Sequence, residues 1–360
     1  MKAAVLAKVG ADFSIEDVSI SRPQKNEVLL QTAASGVCHS DLHLADGSLP
    51  MVFPAVLGHE GSAVVLEVGE DVTYVKKGDH VITSFTGFCG HCGFCMEGKS
   101  VHCSSPSMLR RPKTKEPRLS LNGKKLTPLA NLGTFAETML MHENNVVRID
   151  KEMPLDRAAL IGCGVTTGVG AVFNTAKVRP GDSVCVIGCG GLGLSAINAA
   201  AISGASRIVA VDIFDSKLEL AKSMGATDLI NSKEQDPIEA VLEMTKGGVK
   251  HAFEGIGLEE TLRQAIGVLA PLGTVTVMGV FKYGSNVSIP ASDFLQEKKI
   301  QGTYMGSGNP RTQMPQLVDL YLKGKLHLDL LISKRLKLQD INQAFLDLKK
   351  GGAARSVIVF

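Results

Sequence analysis

The sequence predicts an α/β protein in which a β-rich domain precedes a doubly wound, parallel six-stranded sheet. Three observations carry that expectation. From residue 182 onward, short apolar runs rich in β-branched residues alternate with helix-length segments. The first of these runs ends in a glycine-rich turn that opens a helix. The chain has 360 residues, more than one hydrophobic core usually serves, so two domains are expected.

Before about residue 160, the strand-like runs EVLLQTAAS, GSAVVLEVG and DHVITSF are bounded by Gly, Pro and Asp, with few long helical patterns. The stretch LRRPKTKEPRLSLNGKK (109–125) is the most polar of the chain and reads as a solvated loop. The middle of the chain then settles into a rhythm. DSVCVIG (182–188) is a strand, LGLSAINAAAISG (192–204) a helix, RIVAVD (207–212) a strand and SKLELAKSMG (216–225) an amphipathic helix. The alternation continues through ATDLIN, PIEAVLEMTKGG, HAFEGIG, EETLRQAIGVLAPLG, TVTVMGV, SDFLQEK and KIQGTYMG. Six strands separated by helices mean stacked βαβ units on a parallel sheet. After about residue 305 come an amphipathic helix, QMPQLVDLYLKGK, and a last strand, ARSVIVF.

Composition narrows the function classes. With 44% hydrophobic and 21% charged residues, the chain suits a globular protein with a sizeable core. A net charge of +2 gives no reason to expect nucleic acid or an anionic membrane surface as a partner. The N-terminal run is interrupted by Lys8, Asp12, Glu16 and Asp17, unlike a signal peptide. No window approaches the ~18 uninterrupted apolar residues of a membrane span. A cytoplasmic chain is expected, and in a reducing compartment clustered cysteines favour metal binding or catalysis over disulfides.

The glycine-rich turn is VIGCGGLG, with Gly188, Gly190 and Gly193 in the G-x-G-x-x-G pattern. It follows a strand, opens a helix, and has Asp212 at the end of the next strand, nineteen residues past the last glycine. Gly188 permits the tight turn, Gly190 lets the backbone approach a pyrophosphate, and Gly193 allows close helix–strand packing. The helix N-terminus supplies free N–H groups and a positive dipole. Asp212 would accept from the adenosine ribose hydroxyls and repel a 2′-phosphate, so NAD is expected over NADP.

Two sets of residues could hold metal. FCGHCGFCMEGKSVHC (88–103) packs Cys89, Cys92, Cys95 and Cys103 into sixteen positions. This spacing can wrap one tetrahedral zinc whose four positions are all filled, which makes a structural site. It is also similar to iron–sulfur ligation. The second set is dispersed: Cys38 in GVCHSDLH, His59 in LGHEG and Cys163 in IGCG. Two thiolates and one imidazole suit zinc and leave a fourth position open, the mark of a catalytic site. Taken singly, a lone cysteine is most often a small buried hydrophobe, and a histidine beside Glu60 is often merely hydrogen-bonded. Spacing alone leaves both readings open.

GVCHSDLH, LGHEG, the four-cysteine lobe, IGCG, VIGCGGLG and the closing RSVIVF occur in the order seen in zinc-dependent medium-chain alcohol dehydrogenases, and the sequence resembles that family from residue 1 to 360. The resemblance implies a chaperonin-10-like catalytic domain over residues 1–164, carrying the zinc lobe 88–103. It implies a Rossmann NAD-binding domain over 165–303 and a return to the catalytic domain over 304–360. It maps catalytic zinc ligands onto Cys38, His59 and Cys163, with Glu60 behind the metal and Asp41 orienting the zinc-bound histidine. Two zinc ions per chain, one catalytic and one structural, are implied together with NAD.

The activity implied is reversible hydride transfer between an alcohol and NAD, giving an aldehyde or ketone, with zinc polarising the alcohol oxygen. By the same resemblance, Ser40 takes the alcohol proton and passes it through the nicotinamide ribose to His43 and solvent. Read from the residues alone, CHSDLH is simply a capped helix start. His39 falls on a pyrophosphate contact where many members carry arginine. Lys217 falls on an adenosine-ribose contact and Arg355 on a pyrophosphate contact. Gly191, Leu192 and Val280 complete the expected cofactor site. Leu49, Phe85 and Met108 are expected to line the substrate pocket, although core packing accounts equally well for these residue types.

Two further readings stand beside this one. A glutathione-dependent formaldehyde dehydrogenase would place a basic residue near Arg110 and Arg111, but the ungapped position holds Ser107. A non-catalytic zinc-binding module built on residues 89–103 is opposed by the near-neutral charge and by a complete cofactor motif elsewhere. Homo-oligomers are the family rule. The long segment between Cys103 and Cys163 resembles the dimeric branch more than the tetramers.

Overall fold

Six strands in the second half of the chain run parallel: Ser183–Ile187, Arg207–Asp212, Asp228–Asn231, Val249–Glu254, Leu269–Val277 and Lys299–Gly302. The structure is a computed structural model that describes residues 1–112, 114–351 and 354–360. Across the sheet the strands stand third, second, first, fourth, fifth, sixth. The order reverses beside the first strand, and the carboxyl ends there form the crevice in which open α/β sheets bind ligands. The sheet is covered on both faces, so Val184, Cys185, Val186 and Ile187 are all buried, as a central parallel strand requires. The helix Gly191–Ile202 is built of small residues because nearly every side of it is packed; Leu194 through Ala200 are buried. The expected helix at SDFLQEK is a single 3-10 stretch, Ala291–Gln296, following Pro290.

The first half is a mainly antiparallel sheet organised on one long strand, Glu27–Val37. It pairs with Glu60–Val68 and with Thr138–His142, and its register shifts at two places along the Glu60–Val68 partner. Such shifts bend a strand and let it serve several neighbours. The chain's last strand, Arg355–Val359, returns to this sheet and pairs Ser356 with Val37. That return sets Arg355 beside the end of the long strand, where Cys38 follows.

One element was invisible in the sequence pattern. Leu155–Ala176 is a continuous helical run of 22 residues that alternates α- and π-helical turns. By length and composition it could cross a membrane, but 72% of its most apolar window is buried inside the protein. It is apolar on every side and rich in glycine, so no 3.6-residue stripe marks it. It carries a core that continues from Ile82 and Val147 through Leu160 and Val165 to Val184 and Leu194.

The polar stretch 109–125 is not simply a solvated loop, which corrects the expectation. Arg111 and Arg118 are buried and both pair with the buried carboxylate of Glu27. Arg118 Nη2 also donates to the Leu109 carbonyl at 2.7 Å, and Arg111 Nη2 to the Arg22 carbonyl at 2.7 Å. Two guanidiniums on one carboxylate satisfy most of its acceptor sites, which is how charged groups tolerate burial. Leu119–Leu121 and Lys124–Lys125 form a small hairpin whose lysines are exposed. Lys113 lies outside the described residues.

Candidate active site

The dispersed trio converges. One ligand atom from each of Cys38, His59, Glu60 and Cys163 lies within 4.8 Å of the other three. Each comes from the end or a distortion of an element. Cys38 caps the helix His39–Ala45 directly after the long strand. His59 and Glu60 stand at the start of Glu60–Val68. Cys163 sits in the π-helical turn Ile161–Val165, the kind of helix distortion often found at functional sites. The glycines of IGCG let the backbone close in. A methyl on Gly164 would strike the Arg355 guanidinium, and one on Gly162 would press on the Thr83 carbonyl at 3.0 Å.

Asp41 organises this centre. It is fully buried; Oδ1 accepts from the Gly58 N–H at 3.0 Å and lies 3.1 Å from His59 Nδ1. With Nδ1–H donating to Asp41, His59 presents the Nε2 lone pair to the two sulfurs, which fixes the tautomer a metal needs. Oδ2 accepts from the Cys38 N–H at 3.3 Å, completing a capping box that starts the helix. CHSDLH is thus a capped helix start, and the same cap brings Cys38 into the donor cluster.

Charge around the sulfurs suits a cation. The Cys163 thiol, the Arg355 guanidinium and His59 together draw Cys38 well below the ordinary thiol range, although burial opposes the shift. Burial pushes the Glu60 carboxyl up to about 7 even with Arg355 nearby. Glu60 Oε1 accepts from the Gly164 N–H at 3.2 Å and pairs with Arg355 Nη2 at 3.3 Å, while Oε2 is buried without a partner. Two soft sulfurs, one imidazole of fixed tautomer and an under-satisfied carboxylate form a donor set that fits zinc.

The four clustered cysteines also meet. Sulfur–sulfur distances are 3.9 Å for Cys89–Cys95, 3.5 Å for Cys92–Cys95 and 4.0 Å for Cys92–Cys103. Tetrahedral ligation with Zn–S bonds of ~2.3 Å requires sulfurs ~3.8 Å apart, whereas a disulfide needs ~2.05 Å. Backbone N–H groups of Cys89 and Ser105 point at Cys103 Sγ, and that of Cys92 at Cys89 Sγ. N–H donors of Ser104 and Cys95 pull the Cys92 thiol down to about 5. Donors aimed at sulfur stabilise thiolates, the form that binds metal.

The glycine turn has the geometry its pattern implies. Gly188 has φ +95°, a backbone position that favours glycine. Nothing approaches the place of a Gly190 side chain, so the backbone there is open to a ligand, while a methyl on Gly193 would collide with the Gly188 carbonyl. Gly191 opens the helix against the Arg355 side chain, and Leu192 follows half-buried. Arg355 thus spans from Glu60 to the phosphate-binding turn. Asp212 Oδ2 accepts from the Cys189 N–H at 2.8 Å, and Oδ1 from Ile213 at 2.8 Å and Phe214 at 3.1 Å. Lys217 Nζ lies 5.0 Å from the Phe214 ring centroid, beside this acid. His39 is exposed on the first turn of its helix. Val280 is exposed just past the end of Leu269–Val277, at the carboxyl edge of the sheet.

The remaining expected residues separate. Ser40 Oγ is 3.9 Å from Cys38 Sγ, and His43 follows one helical turn on, half-buried. The Phe85 ring centroid lies 5.3 Å from that of His59, beside the metal donors. Leu49 packs on the hydrophobic core of the first half and donates its N–H to the His43 carbonyl. Met108 is on the turn Pro106–Leu109 with over half its surface open. Sequence reasoning missed Ile213 and Ile256, both exposed at the carboxyl edge; an apolar residue following a strand's terminal acid is the signal that could have found them.

Fold and site together define a zinc-binding dehydrogenase with a GroES-like catalytic domain and a Rossmann domain. Residues 24–151 match the alcohol dehydrogenase GroES-like domain, and residues 191–323 match the zinc-binding dehydrogenase domain. The chain belongs to the zinc-dependent medium-chain alcohol dehydrogenase family. It is 41% identical to S-(hydroxymethyl)glutathione dehydrogenase of Synechocystis sp., over 99% of either chain. The crystal structure of benzyl alcohol dehydrogenase from Acinetobacter calcoaceticus superposes with a TM-score of 0.94 at 40% identity, covering 100% of this chain and 99% of that one. An alcohol dehydrogenase zinc-binding domain protein from Burkholderia ambifaria gives a TM-score of 0.95 at 39% identity, covering 100% and 98%.

Proposed function

We propose that this protein is a cytoplasmic, homodimeric, NAD-dependent alcohol dehydrogenase that interconverts an alcohol with its aldehyde or ketone. One observation carries the reading: donors from three distant segments, Cys38, His59 and Cys163, gather beside Arg355, which itself reaches the phosphate-binding turn. Zinc held by those donors supplies Lewis acidity that lowers the pKa of an alcohol. Cys89, Cys92, Cys95 and Cys103 would hold a second ion that fixes their lobe.

The chain's own groups then divide the work. Asp41 holds the His59 ring in register, and Glu60 and Arg355 balance charge behind the sulfurs. Ser40 Oγ, beside Cys38, accepts the substrate proton, and His43, on the same helix face, hands it to solvent; both groups can donate and accept. Gly190, Gly191, Leu192 and the helix N-terminus receive the pyrophosphate, together with Arg355 and His39. Lys217 and Asp212 take the adenosine ribose. The Asp212 charge disfavours a 2′-phosphate and supports NAD over NADP.

Phe85 beside His59 supports an aromatic primary alcohol as substrate. The 40% identity to a benzyl alcohol dehydrogenase agrees with that choice. The Synechocystis relative favours a second reading, a glutathione adduct as substrate. Against it, Arg111 is committed to Glu27, Ser21, Arg22 and Glu116, so that of these two arginines Arg110 is the exposed one. The dimer is supported by the sheet's open edge at Lys299–Gly302, flanked by exposed Phe294 and Leu295. Six of the eight cysteines gathered into metal-donor sets suit a reducing compartment.

An NAD-reduction screen over aromatic, aliphatic and secondary alcohols, run beside formaldehyde with and without glutathione, tests the reading. Highest kcat/KM with an aromatic primary alcohol is expected. Strict dependence on glutathione would replace the leading reading with the second.

A further inference from the structure

Glu254 ends the fourth strand of the parallel sheet and has no role in the chemistry above. It is completely buried, and no basic side chain pairs with it among the described residues. An acid in that position must be doing something local to offset its desolvation. Its Oε1 gathers three donors: the Ile256 N–H at 2.8 Å, the Gly257 N–H at 2.7 Å and the Thr261 hydroxyl at 2.8 Å. Its backbone carbonyl gathers two more, the Met278 N–H at 2.8 Å and the Gly279 N–H at 3.0 Å. One residue therefore binds the loop after its own strand and the loop after the neighbouring strand.

The glycines around it are fitted to this arrangement. Gly257 has φ +91°, and a methyl there would strike the Val280 carbonyl. A methyl on Gly279 would lie 2.6 Å from Glu254 Oε2 and collide with the Gly257 nitrogen. Glu254, Gly257 and Gly279 interlock with no room for a side chain between the loops. Those loops carry Ile256 and Val280, exposed apolar residues on the crevice edge of the sheet. Ile256 also packs over the first glycine of the phosphate-binding turn, where a Gly188 methyl would lie 2.5 Å from its Cγ1.

We propose that Glu254 is a positioning residue for the dinucleotide, locking the 255–257 and 278–280 loops into one wall of the cofactor crevice. The inference rests on the dinucleotide site of the proposed function and adds the residue that shapes it. Oε2 has no partner among the described residues, so the accepting work falls on Oε1, and an amide oxygen can do most of it. Glu254→Gln should therefore be mild and Glu254→Ala severe.

The test is the Kd of the zinc-loaded protein for NADH, followed by nicotinamide fluorescence, with the KM for NAD, kcat, zinc content and Tm measured alongside. Removing an acceptor shared by three donors should weaken binding roughly tenfold or more in Glu254→Ala, against about threefold in Glu254→Gln. KM should rise more than kcat falls, with zinc content unchanged. A merely structural role would lower Tm in Glu254→Ala and leave Kd within twofold of wild type, and that result overturns the proposal. A glutamine variant as impaired as the alanine variant would overturn it too, since charge rather than hydrogen bonding would then matter. If Glu254→Ala does not fold, Thr261→Val decides, because it removes one of the three donors to Oε1 and leaves the carboxylate in place. About a threefold rise in Kd supports the proposal, and no change rejects it. Wild-type protein that bound neither NADH nor NADPH would overturn the cofactor reading and this inference with it. Normal wild-type binding with an unaffected alanine variant sinks the inference alone.

Discussion

The Asp41 carboxylate is not one of the clustered metal donors, yet it sets which nitrogen of His59 faces them. Removing such a carboxylate typically costs 10–100-fold in metal affinity or activity. Asp41→Asn should accordingly lower kcat/KM by about 10–100-fold while NADH binding stays near wild type, which titration of cofactor fluorescence and a rate assay would check. At Asp212, replacement by Gly should relax cofactor choice, and the ratio of kcat/KM for NAD over NADP should fall by about tenfold or more. An unchanged ratio would show that Asp212 does not read the ribose. The same scale shows what sequence could tell. Glycines 188, 190 and 193 were assigned separate jobs from their spacing, and the fold gives Gly188 a φ of +95°, leaves the place of a Gly190 side chain open and packs Gly193 against the Gly188 carbonyl. Ile256 was not found, because a single apolar residue after a strand gains meaning only once the fold sets it over Gly188.

Among the elements, the four-cysteine lobe and the 109–125 segment make contrasting predictions. The lobe has little core of its own; its residues are mostly exposed or half-buried, so a metal on its four cysteines would be what holds it. Cys89→Ser should lower Tm and zinc content, with turnover falling only as folded protein is lost. A stable, well-folded variant without activity would contradict the structural role. The polar segment is held instead by Glu27. Burial alone would raise that carboxyl, but Arg111 and Arg118 bring it below the ordinary value of 4.5. A lowered folded pKa means the unfolded chain binds protons more readily, so this contribution is complete above the unfolded value and is lost as pH falls through the folded one. Glu27→Gln should destabilise the protein at pH 7 and flatten the acid side of its stability curve below about pH 4.5, as read by thermal melts across pH. Loop-like sequence hid this cluster because Glu27 lies more than eighty residues from both arginines, and only the fold brings them together. The 155–176 helix was hidden for the opposite reason. Its residues are so uniformly apolar that periodicity carries no signal.

For the whole molecule, the parallel sheet was legible strand by strand, because βαβ units repeat a strong local pattern and their connection order follows from it. The first half was legible only as β-rich, since its strands pair across long separations that no local pattern encodes. The two halves meet where the site lies, with Cys38 and His59 from the first, Cys163 on the joining helix and Arg355 from the returning tail. From that division, losing a single metal donor is expected to leave the glycine-rich turn intact. The most direct measurement of the central claim is zinc content and alcohol-dependent NADH formation on one preparation each of wild type and Cys38→Ala. Wild type should hold two zinc ions per chain and turn over. The variant should retain the lobe's zinc and its NADH affinity, with no detectable oxidation of alcohol. A Cys38→Ala protein that still oxidised alcohol at the wild-type rate would contradict the account.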